Sequence, residues 1–448
     1  MRISELKIMN INNFLKNHWG IFIVMLLLLA ERIVGLCILG PEYTLSSDDL
    51  SYVESGIAFF KTGTITMHGV LSAQIMPGMP WLIALFTFLF GTGTELWLSL
   101  KILWIFMGTA TAWYIYQSVR MMAPKWCAII AALFLLTGDF VWTDNLILTE
   151  TPFMLLLTIM ICETMMMGET RKNKYFWRCL AAFFCAFMLK ANIIIYPLFA
   201  AVYLLLKHYE FRKLIKQGVL LGLAVLCFVV PWSIRNYIDY GVFIPLTYGA
   251  GNPDLLGTYQ GVGYPHDDAL DYETHVDQVA KERFAAYYAK DGTLSPCLQK
   301  YISLETDEIK AEYRKSVWWE THPGSMLLSY LVLKPLNMVF SAFCWYELYP
   351  HAIEICMVSR YIDFGIILFG VVAAFINKRR RAEVIFIAVT YLGIIYSYAM
   401  MFSFDRYAHP LLPLRYILLG LSLNELCLLS RKLRDRTHDI PGTLDQLH

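Results

Sequence analysis

The chain has 448 residues, of which 57% are hydrophobic and 16% charged, and its mean hydropathy is +0.50. Soluble globular chains run nearer about 45–50% apolar and about 25% charged, so a cytosolic enzyme, a disordered chain and a nucleic-acid binder are excluded. A polytopic membrane protein remains, and the net charge of +1 becomes informative only when the charges are placed along the chain.

A hydrocarbon core of about 30 Å calls for roughly 20 apolar residues per helix. The first such run, 19–40, is too long for a cleaved leader and lacks a small-residue cleavage site. It holds Glu31 and Arg32, which can pair within one helix. An acidic stretch, 41–76, follows. Within it, Ser46-Ser47-Asp48-Asp49-Leu50-Ser51-Tyr52 reads as the Ser-capped start of a short helix ending at Gly63. Asp48 and Asp49 fall in its first turn, where the helix dipole favours carboxylates. They are either helix-start residues or functional acids. Met76-Pro77-Gly78-Met79-Pro80-Trp81 is a rigid turn feeding an apolar stretch, 77–91.

Further membrane segments are expected at 95–119, 125–142 and 150–167. The connection 138–149 carries Asp139 and Asp144 and leads to Leu148-Thr149-Glu150-Thr151-Pro152, where a membrane helix opens on a carboxylate. Thr149 can cap this helix and Glu150 complements its dipole. A boundary carboxylate facing the bundle is also a functional candidate, with Asp139 and Asp144 as competitors. Segments at 175–190, 192–206 and 216–234 come next. They end near Lys190 and in Pro231-Trp232-Ser233-Ile234-Arg235-Asn236-Tyr237. A hydrophilic insert, 236–325, rich in Tyr and acids, reads as a small, partly helical cap. After a second ambiguous apolar stretch, 326–345, crossings are expected at 359–376, 383–403 and 408–429. Asp405-Arg406-Tyr407-Ala408-His409-Pro410 joins the last two.

Lys and Arg concentrate in the N-terminus, in 171–174, 207–216 and 377–381, and in the tail. Read by the positive-inside rule, these face the cytoplasm, so ten crossings thread the chain with both termini inside. The stretches 77–91 and 326–345 must then lie along the surface or dip in and return. The acidic loops and three cations, Lys190, Arg235 and Arg406, fall outside. Each cation either snorkels to the interface or joins the others to clamp a phosphate. The chain divides into a membrane module, 1–235, the insert, 236–325, a C-terminal membrane part, 326–430, and a cytoplasmic tail, 431–448.

No His/Cys metal signature, Walker loop, dinucleotide fingerprint or Gly-x-Ser-x-Gly elbow occurs. His266, His275, His322 and His351 are scattered over outer segments, and His409 alone adjoins a suspected site residue. Nine of ten cysteines lie in or beside apolar stretches, with Cys297 the exception, which gives no disulfide framework. The absence of an internal repeat weighs against inverted-repeat transporters.

Taken in order and by side, these markers resemble the GT-C superfamily of membrane glycosyltransferases. The nearest branch is the bacterial one that includes lipid A aminoarabinose transferase and the protein O-mannosyltransferases. The markers are Asp48-Asp49 with Tyr52, Pro77-Gly78-Met79-Pro80 with Phe90-Gly91, Glu150, Lys190, Pro231-Trp232 with Arg235-Asn236, and Arg406-Tyr407. The resemblance implies an all-α GT-C-type bundle of about 10–13 transmembrane helices. It also implies transfer of a sugar from a polyprenyl-phosphate donor to a lipid, glycan or protein acceptor at the outer face of the cytoplasmic membrane. It makes Asp48 or Asp49 the base and Glu150 its helper. If a divalent metal (Mg, Mn or Zn) is used, those three acids would hold it. Tyr52, Lys190, Arg235, Asn236, Arg406, Tyr407 and His409 become donor-binding candidates. One departure stands out: Met76 occupies the place where relatives carry a basic residue before the proline of the Pro-Gly turn, so phosphate binding must fall to other cations. The competing readings are a transporter or lipid flippase, a glycan polymerase or ligase, and a structural subunit of an envelope complex.

Overall fold

Apolar sequence in lipid must satisfy its backbone internally, and helices supply nearly all the regular structure. The computed structural model describes residues 3–288 and 293–438. The order is α1 (Ile3–Leu39), α2 (Asp48–Thr62), a small hairpin of β1 (Thr66–Met67) and β2 (Val70–Leu71), α3 (Gly78–Phe90) and α4 (Thr94–Arg120). Next come α5 (Lys125–Leu133), α6 (Gly138–Thr143), α7 (Glu150–Thr170), α8 (Asn173–Leu189), α9 (Tyr196–Leu206) and α10 (Phe211–Tyr240). The insert contributes α11 (Gly251–Gly257), α12 (Gln278–Phe284) and α13 (Pro296–Thr321). The chain ends with α14 (Pro323–Leu328), α15 (Lys334–Phe340), α16 (Ala352–Asn377), α17 (Arg381–Ala399), α18 (Asp405–Ala408) and α19 (Leu412–His438). The end of the expected tail, 439–448, lies outside the described residues.

Among the described residues, seven helical stretches are long and apolar enough to cross a membrane: α1 from Lys16, α4, α7, α10, α16, α17 and the run Asp405–Asp435. The expected segment 125–142 is broken into α5 and α6. Its break is a buried polar turn, where the Thr137 hydroxyl donates to Asp139 Oδ1 at 2.6 Å. The segment 175–190 is α8, of 17 residues. The segment 192–206 begins as a 3-10 turn and continues as the short α9.

Ion pairs reveal which helix ends lie together. Glu150, opening α7, meets Lys190, just after α8, at 2.9 Å. At the far end of α7, Glu169 meets Lys207, which follows α9, at 2.8 Å, and Lys207 also meets Glu383, opening α17, at 2.8 Å. With 21 residues, α7 is about 32 Å long at 1.5 Å per residue, the thickness of a hydrocarbon core. Helix α3 begins at the Glu150 end: its first residue, Gly78, packs so closely on the Met188 carbonyl that a Cβ would sit 2.5 Å from that oxygen. Helix α15 is at the same end, because Lys334 Nζ donates to Met401 O at 3.1 Å, beside the end of α17.

The main core runs through α1, α4, α5, α7, α8, α17 and α19, while the insert has its own, built on Tyr240, Tyr248, Tyr301 and Phe284. The buried arginines are paired, as low dielectric requires. Arg32 Nε donates to Asp144 Oδ2 at 2.5 Å, whereas its chain neighbour Glu31 is 3.9 Å away. Arg360 is held by Asp139, and Arg415 by Asp363. Helix α10 stands apart, with only 11% of its apolar window buried.

Candidate active site

The first turn of α2 presents two adjacent aspartates, and helical geometry sends them in different directions. Asp49, 1% exposed, accepts Leu45 N at 2.7 Å and Ser47 N at 3.3 Å. It closes the loop before its own helix. The Asp48 side chain is 34% exposed and accepts Arg406 Nη1 at 2.7 Å. Arg406 comes from α18, 358 residues along the chain.

The same guanidinium reaches Glu150, with Nε to Oε1 at 2.9 Å. Glu150 is fully buried, and its Oε1 also accepts Lys190 Nζ at 2.9 Å. Asp48, Arg406, Glu150 and Lys190 thus form one alternating chain of charges, drawn from α2, α18, the start of α7 and the end of α8. Thr149 does not cap α7 with its side chain; its hydroxyl donates to Glu150 Oε2 at 3.3 Å instead. Aromatic rings wall the group. Lys190 Nζ lies 5.5 Å from the Tyr407 ring and 5.7 Å from that of Phe153, and Tyr407 stacks on Tyr398 at 4.9 Å. Tyr52 is buried alongside, and burial, more than the neighbouring charges, keeps its phenol protonated well above the usual range.

Three other sequence candidates lie elsewhere. Arg235 pairs with Asp239 at 2.9 Å, donates to Ser72 O at 3.2 Å and stacks on Trp232. It closes an apolar cavity of about 420 Å3 lined by Phe59, Trp81, Met188, Phe228 and Trp232. Asn236 spends its amide on the carbonyls of Ile244 and Leu246, at 2.9 and 3.4 Å, and so ties α10 to the following loop. His409, 2% exposed, sits 3.6 Å from Asp139 and 4.5 Å from the Phe140 ring. It belongs to the Asp139–Arg360 group, not to Glu150. Asp139 and Asp144 are likewise sealed in pairs with Arg360 and Arg32.

The sequence alone does not single out two neighbours of Asp48. His68, with φ +52° in the turn between β1 and β2, places Nε2 3.8 Å from Asp48 Oδ1, and Ser51 Oγ lies 2.8 Å from its Nδ1. Lys300, on α13, donates to Met67 O at 3.0 Å. Burial lowers its pKa, with the Asp48 charge opposing. A His-Gly turn after an acidic helix was the one available signal for His68; Lys300 sits in no motif. Beside Lys190, both polar atoms of the Asn192 side chain are buried without a hydrogen-bond partner among the described residues.

The three acids do not form a metal site in this arrangement. Asp49 is turned to its own loop, Asp48 and Glu150 share one guanidinium, and no group of three or more His, Cys, Asp or Glu is placed to hold a metal among the described residues. The cluster is neutral overall, two carboxylates against two cations. Several donors stay available to a ligand: Arg406 has five N–H groups and Lys190 three, of which the cluster engages two and one.

Residues 74–234 match the family model of dolichyl-phosphate-mannose-protein mannosyltransferases. The oligosaccharyltransferase AglB of Archaeoglobus fulgidus, solved with an inhibitory peptide and a dolichol-phosphate, superposes with a TM-score of 0.54 at 13% identity. The match covers 96% of this chain and 52% of that one. This chain has the GT-C fold. ArnT of Cupriavidus metallidurans, bound to undecaprenyl phosphate, aligns over 95% of this chain and 82% of its own, at 14% identity and a TM-score of 0.41. No curated protein matches in sequence. The chain spans about half the length of the archaeal GT-C protein. The family match holds Glu150 and Lys190 and stops short of Asp48 and Arg406.

Proposed function

We propose that this chain transfers a sugar from a polyprenyl-phosphate-linked donor to an acceptor at the face of the cytoplasmic membrane opposite its basic loops. The observation that carries this reading is the Asp48–Arg406–Glu150–Lys190 cluster. It joins two cations suited to phosphate with one carboxylate that an acceptor can reach. The apolar cavity ending at Arg235 suits a lipid tail, and the family match over 74–234 points to the same donor class.

Each residue then has a role set by its surroundings. Glu150, sealed and bound to both cations, holds them in place. The remaining N–H groups of Arg406 and Lys190 bind the donor phosphate and stabilise the charge that grows on it as the C1–O bond breaks. Asp48 is the base. A phosphate arriving at Arg406 competes with Asp48 for the guanidinium and frees that carboxylate to take the proton of the attacking hydroxyl or amine. Because phosphate is already a good leaving group, no general acid is needed, and direct displacement inverts C1.

The test offers purified protein radiolabelled polyprenyl-phosphate sugars with lipid, glycan and protein acceptors. Transfer is expected for the parent and strong loss for Asp48→Asn, Glu150→Gln and Arg406→Lys. Label that never leaves any such donor overturns the reading, as does a product that keeps the donor's anomeric configuration.

A further inference from the structure

A second cavity, of about 290 Å3, is lined by Gln260, Gly261, Leu333, Lys334, Asn337 and Ser403. It lies where the insert meets the segment that runs into Arg406. Gln260 grips that segment from both sides: its Nε2 donates to Ser403 O and its Oε1 accepts Ser403 N, each at 2.8 Å. Asn337 Nδ2 donates to Ser403 Oγ at 3.1 Å, and that hydroxyl donates to Lys334 O at 2.9 Å.

Lys334 is the unusual member. It is 2% exposed, donates to Met401 O at 3.1 Å and lies 3.5 Å from the centre of the Tyr330 ring. No carboxylate pairs with it among the described residues, since Asp254, the nearest acid to act on it, is taken by Lys315 at 2.6 Å. Burial pushes its ammonium down to about 7. Buried charges are ordinarily matched by a counter-charge. An ammonium has three donors and a carboxamide two, so Lys334 and Asn337 both keep N–H groups for a ligand. Apart from Leu333, the side chains around it carry amide, hydroxyl and ammonium groups, which suit a hydroxylated anion.

We propose that this cavity binds the carboxylate or phosphate of an acidic saccharide acceptor, with Lys334 and Asn337 as its donors. The word acceptor rests on the glycosyl-transfer reading; the binding does not. The acceptor's acidic group would be held by the insert side of the segment that delivers Arg406, so recognition and the phosphate clamp share one stretch of chain.

The experiment is trace acetylation of the full-length protein in detergent, with Lys334 labelling read by mass spectrometry. The probes are trigalacturonate, maltotriose and inorganic phosphate. Trigalacturonate should slow Lys334 labelling about tenfold relative to exposed lysines, the change expected of a site at its working concentration. Maltotriose and phosphate should not. Asn337→Leu should raise the half-protecting trigalacturonate concentration about fivefold, the size of one hydrogen bond, with the melting temperature of the variant as the folding control. Equal protection by phosphate or by maltotriose overturns the proposal, and so does labelling that trigalacturonate leaves unchanged. Labelling needs no donor, so a protein that transfers no sugar yet shows selective protection refutes only the proposed function. One that transfers sugar without protection refutes only this cavity.

Discussion

Arg406 and Glu150 are 256 residues apart in the chain and meet at 2.9 Å through Nε and Oε1. That single contact joins the first turn of α7 to the short helix before the last crossing. It also leaves the rest of the guanidinium pointing toward Asp48. The geometry is that of a fork with one prong spent on anchoring, and an ammonium cannot reproduce it.

Arg406→Lys keeps the charge and loses the fork. Turnover should fall about 10²–10³-fold, the cost of removing one preorganised donor to a developing anion, while the melting temperature changes little. The check is sugar transfer per folded molecule beside a thermal melt. Near-parent turnover would mean that the second prong contributes nothing.

Asp48 and Asp49 separate function from folding. Asp48→Asn should abolish most transfer and leave stability intact. Asp49→Asn replaces one of the two oxygens that accept Leu45 N and Ser47 N with an NH2 donor and should cost about 1 kcal/mol of stability, the usual net value of one hydrogen bond, with transfer per folded molecule preserved. Denaturant titrations and transfer rates on both variants decide the matter, and the reverse pattern would reassign the base.

Arg360→Met strips Asp139 of its guanidinium partner at a site where both side chains are fully buried. Breaking such a pair costs about 3–5 kcal/mol, whereas replacing both partners with apolar residues is often close to neutral. Arg360→Met with Asp139→Leu should therefore recover much of the stability lost by the single change. Thermal melts of the two variants in one detergent measure this directly.

Lys334 gives a dependence on pH with a definite sign. Its folded ammonium is pushed down to about 7, while an unfolded lysine titrates near about 10.4. Between those values the unfolded chain binds more protons, so this residue makes stability rise with pH across that window. Below pH of about 7 both states are charged and its contribution flattens. Lys334→Met should remove that slope, which denaturant melts between neutral and alkaline pH would detect.

The bundle was legible because hydropathy is a property of long stretches, and seven of the expected membrane segments coincide with helices long and apolar enough to cross. Glu150, Lys190 and Arg406, which the fold brings together, stand out in the sequence because charges are scarce at a membrane boundary. What failed turned on angle and partner. Asp48 and Asp49 differ by one residue, about 100° around a helix, and no pattern in the sequence says which one faces the bundle. Arg235 and His409 looked like site residues by their neighbours in sequence, yet Asp239 and Asp139 claim them. The break of 125–142 came from a buried Thr-Asp turn, whose polar atoms are satisfied only once Arg360 arrives from more than 200 residues away.

The loosely held α10 has a mechanical meaning. A helix with so little of its apolar window committed to protein exchanges its contacts for lipid tails of equal apolarity when it swings outward, so its displacement costs little. The cavity ending at Arg235 lies against this helix, between α10 and α8. A tail many ångströms long need not be threaded end-on past the charged cluster. On the glycosyl-transfer reading, the donor's tail would slide in from the bilayer, as a sheet of paper slips under a loose clip, and the clip would be α10.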